Sequence, residues 1–227
     1  MNHNRFITLF SPATLCCLLL FLALPLAMLL PAEWGKENGP VENTQVVVIL
    51  ITGLVAYGIY KWGVGSRDTK LLYLYTIPLI MIVAARELSW GRVFYPDGHG
   101  WILPLKALWF GKFVYPVLGF ILVAVIIGLF LQKLDKEILL WVKYGRFPIL
   151  DILMIIGGFL AADLVEHHSY GFFAQRQELF EESFELIMYC GVLSLFINLG
   201  FNKLFQPAHH LEMHGSSDCS KSRISKL

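Results

Sequence analysis

Residues 113–131 read FVYPVLGFILVAVIIGLFL, a run of 19 residues without a charged side chain. A helix crosses the hydrocarbon layer of a bilayer in about 20 such residues. Similar runs recur along the 227-residue chain, in which 56% of the residues are hydrophobic and 15% are charged. Soluble domains carry about 25% charged residues, so water is a poor solvent for this composition. The sequence therefore predicts an all-α, polytopic membrane helix bundle.

Five further apolar runs bring the predicted number of transmembrane helices to about six. The six runs lie at 13–30, 44–64, 71–86, 113–131, 149–165 and 183–201. A shorter apolar segment at 138–142 is flanked by lysines, so we expect it to lie in the membrane interface. We predict one transmembrane domain over residues 1–205 and a polar, disordered cytoplasmic tail over residues 206–227.

The distribution of lysine and arginine predicts the orientation. With the N-terminus inside, the inner segments hold 12 of these residues and the outer segments hold six. Cytoplasmic loops carry the excess of basic residues, so the counts favour an N-in/C-in topology. The net charge is only +1, and no basic face or arginine-rich tract is present. The lipid bilayer is therefore the expected partner, and nucleic acid is not.

Three of the apolar runs become polar at the same, outer end. The third loses its apolar character at Arg86, the fifth at Asp163, and the sixth is apolar only after Glu185. Because each helix must still span the membrane, these polar side chains enter the outer leaflet. Residues three and four apart share a helix face, so the acidic residues of the sixth run form one stripe, which Tyr189 extends by one turn. The predicted cluster comprises Arg86, Glu87, Trp90, Arg92, Asp163, Glu166, Glu178, Glu181, Glu182 and Glu185.

Charged side chains inside the membrane indicate a functional site. A charged side chain costs roughly 2.5–3.5 kcal/mol at the centre of a membrane helix, so we expect the cluster to face the bundle interior or a wet cavity. The leading interpretation is an outer-leaflet polar pocket that binds or translocates an ion, a proton or a lipid headgroup. In the last case, basic residues of the loop before residue 113 would hold a phosphate.

Two alternatives stay open, and the sequence does not decide whether the protein is an enzyme. One is a metal-dependent membrane hydrolase or transferase, in which His167 and His168 bind a divalent metal with Asp163 and Glu182. Imidazoles and carboxylates spaced along adjacent helices build such sites in helix bundles. The other is a structural accessory subunit, whose charge network only locks the helices together. The cations available for that network are Arg86, Arg92, Lys106, Lys112 and Arg176.

Two short strings resemble a pattern in an uncharacterised family of bacterial multi-pass inner-membrane proteins. They are RELSWGR at residues 86–92 and EExxEL at residues 181–186. The resemblance covers roughly residues 71–200 and implies a bacterial inner membrane and a shared polar site, but no reaction. The pair His167 and His168 is not part of that pattern. The chain ends in Ser-Lys-Leu at 225–227, which matches a peroxisomal signal. We interpret this match as coincidental, because that signal is read on soluble cargo.

Overall fold

The computed structural model describes residues 6–7, 28–36, 38–95, 103–167 and 176–206. These ranges are almost entirely helical, which confirms the predicted all-α class. Their α-helices are α1 (Pro40–Trp62), α2 (Arg67–Glu87), α3 (Gly111–Leu131), α4 (Leu134–Tyr144), α5 (Ile149–His167) and α6 (Gln177–Phe201). Short 3₁₀ turns occupy Ala32–Gly35, Ser89–Phe94, Leu105–Ala107 and Lys203–Phe205. Two strands, β1 (Phe6–Ile7) and β2 (Phe147–Pro148), pair in parallel.

Four of these helices, α1, α2, α3 and α6, are long and apolar enough to cross a membrane. Helix α5 matches the fifth predicted run in position, but its 19 residues include Asp151, Asp163 and Glu166. Helix α4 covers the segment expected in the interface. The first predicted span lies almost wholly outside the described residues, as do His168 and the tail from residue 207.

Helix α6 lies at the centre of the packing, against α5 and α1, and α1 also packs against α2. Glycine permits the close approach of α5 to α6. A Cβ atom at Gly158 would lie 2.8 Å from the backbone nitrogen of Met188 and the backbone oxygen of Phe184. Within the apolar window of each helix, 39% of α1 is buried but only 6% of α3. Helix α3 is therefore apolar and lies at the periphery, as expected of a helix that faces lipid.

The loops gather at two opposite ends of the bundle. At one end, the N–H of Val64 donates to the carbonyl of Gly200, and the N–H of Arg146 donates to the carbonyl of Phe205. The strand pair lies with these loops, so we call this the strand end. The opposite end holds the start of α1, the end of α2 and the start of α6. We call it the acidic end, because the predicted carboxylates lie there.

Local capping fixes where α1 and α2 begin. Helix α1 starts with Pro40, whose ring suits the first position of a helix. The Glu42 carboxylate accepts the N–H of Asn38 just before it. Helix α2 starts after Ser66, whose hydroxyl oxygen accepts the N–H of Thr69 at 3.0 Å, as a side-chain N-cap does. These starts place the first turns of α1 at the acidic end and those of α2 at the strand end.

Candidate site: an acidic pocket between three helices

A glutamine of α1 and a glutamate of α6 form the first contact of the candidate site. The Nε2 atom of Gln45 donates to the backbone oxygen of Glu182 and to its carboxylate oxygen Oε2, both at 2.7 Å. Gln45 is completely buried. Its other polar atom, Oε1, has no hydrogen-bond partner among the described residues. A buried acceptor without a donor is costly, so this oxygen is suited to meeting a group from outside the chain.

A second contact joins α2 to α6. The hydroxyl of Tyr189 donates to Oε1 of Glu87 at 2.8 Å. Both residues are buried, and Glu87 is only 8% exposed. The sequence placed Tyr189 at the deep end of the acidic stripe and Glu87 at the end of a span, and the structure brings the two together. A hydrogen bond contributes about 0.5–1.5 kcal/mol, so this contact links the end of α2 to the middle of α6.

Several negative charges converge around these contacts. Glu182 lies within electrostatic range of Glu42, Glu87 and Glu185. Glu185 in turn lies within range of Glu87 and of the positively charged Arg86. Glu42 is itself buried. We call the set Glu42, Gln45, Glu87, Glu182, Glu185 and Tyr189 the acidic pocket.

The acidic stripe of α6 leads from the surface into this pocket. Glu178 is exposed, Glu181, Glu182 and Glu185 are half-buried, and Tyr189 is buried. Glu181 lies within electrostatic range of Glu178 and of residues of α5. The stripe therefore descends into the bundle as its helical spacing predicted.

The polar residues of α5 form an exposed group at the end of that helix. Asp163, Glu166 and His167 are exposed, and their ligand atoms all lie within 4.8 Å of one another. The Nδ1 atom of His167 is 3.6 Å from Oδ1 of Asp163. The sequence predicts that this group faces the bundle interior or a wet cavity. The interior face of α5 is instead formed by Asp151, Met154, Gly158, Ala162 and Val165. The three polar side chains are exposed, and Glu166 and His167 stay within electrostatic range of Glu181 on α6.

The proposed metal ligands are therefore only partly brought together. His167 and Asp163 are close, and Glu166 joins them. Glu182 instead contacts Gln45, and His168 lies outside the described residues.

The remaining predicted site residues belong to the loop after α2. Trp90 and Arg92 line two other cavities, and Arg92 shares one of them with Lys106 and Lys112. Arg176 donates to the backbone oxygens of Met28 and Leu30, both at 2.6 Å. Among the cations proposed for a locking network, Arg86 lies within electrostatic range of Glu185. The others line a separate cavity (Arg92, Lys106 and Lys112) or contact backbone oxygens (Arg176).

Sequence reasoning missed Glu42 and Gln45. The second apolar run was taken to begin at Thr44, which left Glu42 outside the span. A signal was present, because Glu42 and Gln45 are three residues apart and so share a helix face. A glutamine inside an otherwise apolar run also indicates a polar neighbour in the bundle.

A second buried polar group near the strand end was missed as well. The carboxylate of Asp151 accepts the hydroxyl of Ser194 at 3.0 Å and Nδ2 of Asn198 at 2.7 Å. Also towards the strand end, where α2 begins, the hydroxyl of Thr69 donates to Oε1 of Glu137 at 2.5 Å. Both groups are satisfied by their partners, so we interpret them as links between helices.

Comparison with known proteins identifies no relative of this chain. No protein-family model matches it. No curated protein and no solved structure matches it either.

Proposed function

We propose that this chain is a multi-pass membrane protein that binds a cation, either a proton or a small hard metal ion, in the acidic pocket. The observation that carries the proposal is the environment of Gln45. Its buried Oε1 atom has no donor among the described residues, and its Nε2 atom holds Glu182 in place. An oxygen acceptor beside carboxylates is the donor set that hard cations prefer.

The charge balance points the same way. Glu182 is within range of three other carboxylates, whereas Arg86 is the cation within range of Glu185 among the described residues. Two like charges about 6 Å apart repel by about 3 kcal/mol at an effective dielectric constant of about 20. Carboxylates inside a bundle therefore need compensating positive charge, which a proton or a bound cation supplies.

The spacing of the carboxylates favours a proton or a partly hydrated ion over a tightly chelated metal. Among the described residues, the one trio of acidic or imidazole ligands that closes to within 4.8 Å is the exposed group on α5. The carboxylates of the acidic pocket do not form such a compact trio. A compact all-protein cage for a divalent ion needs six or more oxygens at about 2.3–2.6 Å.

An ion titration of the purified full chain tests this function. We expect Na⁺, Mg²⁺ or Ca²⁺ to raise the melting temperature, or infrared spectra to show a protonated carboxyl group. Binding at 100 times the dissociation constant stabilises a protein by about 2.7 kcal/mol. Glu182→Gln should abolish the effect. Glu178→Gln, which removes an exposed charge from the same stripe, should preserve it. The absence of both signals from the wild-type protein would contradict the proposal.

We further propose six transmembrane helices with the N-terminus and the C-terminus inside, in a bacterial inner membrane. Strand β1 pairs with β2 at the strand end, whereas Arg176 contacts Met28 and Leu30 at the acidic end. These positions support one further crossing before α1. Single cysteines at Gly98 and Ser217, in a cysteine-free background, should be labelled from opposite sides of the membrane. Labelling from the same side would overturn the six-helix count.

The metal-dependent hydrolase or transferase remains a second candidate because of the group on α5. Asp163, Glu166 and His167 offer three ligand atoms in one place. Metal analysis of the purified protein should then show stoichiometric metal that His167→Ala removes. Without such metal, and with both His167→Ala and Glu182→Ala silent in a cellular assay, this candidate fails.

A further inference from the structure

The chain changes direction sharply after α2. Ser89, Trp90 and Gly91 have φ values of 47°, 60° and 82°. Two consecutive left-handed residues other than glycine are rare, and such strain persists where the surrounding structure requires it. The turn brings Trp90 over the gap between α2 and α3. Arg92, two residues later, lines a larger cavity beside the start of α3.

This basic cavity has a volume of about 960 Å³. Its lining carries three cationic side chains, Arg92, Lys106 and Lys112, and two amphipathic rings, Trp109 and Tyr115. The lining residues that the structure describes include no carboxylate. Trp109 and Tyr115 are 77% and 64% exposed. Such rings favour the headgroup level of a membrane. Its charge suits an anion, and its volume is ample for a headgroup.

An apolar groove lies between α2 and α3. Its volume is about 330 Å³, and Trp90 is one of its lining residues. The walls are Met81, Ile82 and Ala85 on α2, facing Val117, Leu118 and Ile121 on α3.

The residues that line the basic cavity are close in sequence to those that line the apolar groove, both after α2 and in the first turns of α3. Trp90 of the groove and Arg92 of the cavity are two residues apart. Tyr115 of the cavity is one helical turn from Leu118 of the groove. A charged cavity at the headgroup level, with an apolar groove between membrane helices lined by residues close to it in sequence, matches an amphiphile with an anionic head.

We propose that this protein binds an anionic phospholipid here, with the headgroup phosphate in the basic cavity and an acyl chain in the apolar groove. Lys106 and Lys112 attract the phosphate as point charges, and Arg92 adds a third positive charge to the lining of the same cavity. The aromatic rings flank the glycerol region. This site uses none of the residues of the acidic pocket. A negative result for lipid binding therefore does not count against the proposed cation site, and a negative result for cation binding does not count against this one.

Native mass spectrometry of the full chain in detergent tests the site, with dioleoyl phosphatidylglycerol and dioleoyl phosphatidylcholine as probes. We expect phosphatidylglycerol to bind more tightly. One basic residue near a membrane surface changes affinity about fivefold, so Lys106→Gln with Lys112→Gln should weaken binding about 30-fold. Lys36→Gln, which removes a cation of the same end outside the cavity, should change it less than about twofold. The double variant Lys106→Arg with Lys112→Arg should retain binding, which controls for folding.

Two further experiments decide whether the bound phosphate belongs to a lipid or is free in solution. Inorganic phosphate at millimolar concentration should not displace the lipid, and Val117→Trp, which fills the groove, should weaken lipid binding. Equal binding of both lipids, or equal losses in the Lys36 and Lys106/Lys112 variants, would overturn the proposal. Displacement by inorganic phosphate together with a silent Val117→Trp would overturn it too, because the ligand would then be a soluble phosphate.

Discussion

Two adjacent glycines of α5 allow a matched test of the helix packing. A Cβ atom at Gly158 would lie 2.8 Å from backbone atoms of α6, whereas a Cβ atom at Gly157 would meet nothing within 4 Å. Alanine stabilises a helix by about 1 kcal/mol relative to glycine at either position, so that gain cancels in the comparison. Ordinary contact begins at 3.4 Å, so Gly158→Ala must move the helices apart by about 0.6 Å.

Overpacking of this kind costs about 1–3 kcal/mol. The obstacle is backbone, which cannot rotate away as a side chain can. We therefore expect Gly158→Ala to be less stable than Gly157→Ala by about 1–3 kcal/mol. Displacement of α5 would also stretch the 2.7 Å hydrogen bond from Asn198 to Asp151.

Reversible unfolding in mixed micelles with increasing sodium dodecyl sulfate measures this difference. Both variants should keep the helical content of the wild-type protein, so the comparison is between folded proteins. Equal stabilities of the two variants would refute the close approach of α5 and α6 at Gly158.

Two further predictions concern buried hydrogen bonds. Tyr189→Phe removes the donor to Glu87 and leaves a buried acceptor unsatisfied, so it should destabilise the protein by about 1–3 kcal/mol in the same assay; an unchanged midpoint would show that this contact is not made. Asp151→Ala leaves the donors of Ser194 and Asn198 without their acceptor, so we expect a loss of about 2–5 kcal/mol; the isosteric Asp151→Asn should lose less, and the reverse order would contradict the assignment.

The helices were predictable because length and apolarity act locally. A run as apolar as 113–131 is suited to a bilayer, where a helix satisfies its own backbone hydrogen bonds. The structure contains a helix at Gly111–Leu131. The acidic stripe of α6 was predictable for the same reason, since its spacing is a property of one helix. The contact of Glu87, at the end of α2, with Tyr189, in the middle of α6, additionally required these two helices to be close to each other.

The partners across helices were not predictable in this way. Gln45 contacts Glu182 across 137 positions of sequence, and nothing local indicates which helices are neighbours. For α5, the position of the polar residues depends on which face of the helix packs against α6. The small residues Gly158 and Ala162 let that face approach α6, so Asp163 faces away. The path of the loop after α2 depends on its left-handed turn. After this turn, Arg92 lines a cavity that is separate from the acidic pocket.

Charge removal at Glu182 distinguishes a binding pocket from a structural lock. Glu182→Gln keeps an oxygen to accept the hydrogen bond from Gln45 but removes one of several like charges. In a binding pocket without its cation, that loss relieves repulsion. In a locking network of ion pairs, it breaks an attraction.

The stability of Glu182→Gln relative to the wild-type protein, measured at about pH 10 without added metal ions so that neither a proton nor a metal ion compensates the carboxylates, is therefore the most direct test of the acidic pocket. We expect the variant to be more stable by about 1–2 kcal/mol, which is part of the repulsion expected between neighbouring charges at an effective dielectric constant of about 20. The exposed control, Glu178→Gln, should change stability by less than about 0.5 kcal/mol. A variant less stable than the wild-type protein by 1 kcal/mol or more, roughly the cost of a lost buried contact, would contradict a cation-binding pocket and favour a charge network that only holds the helices together.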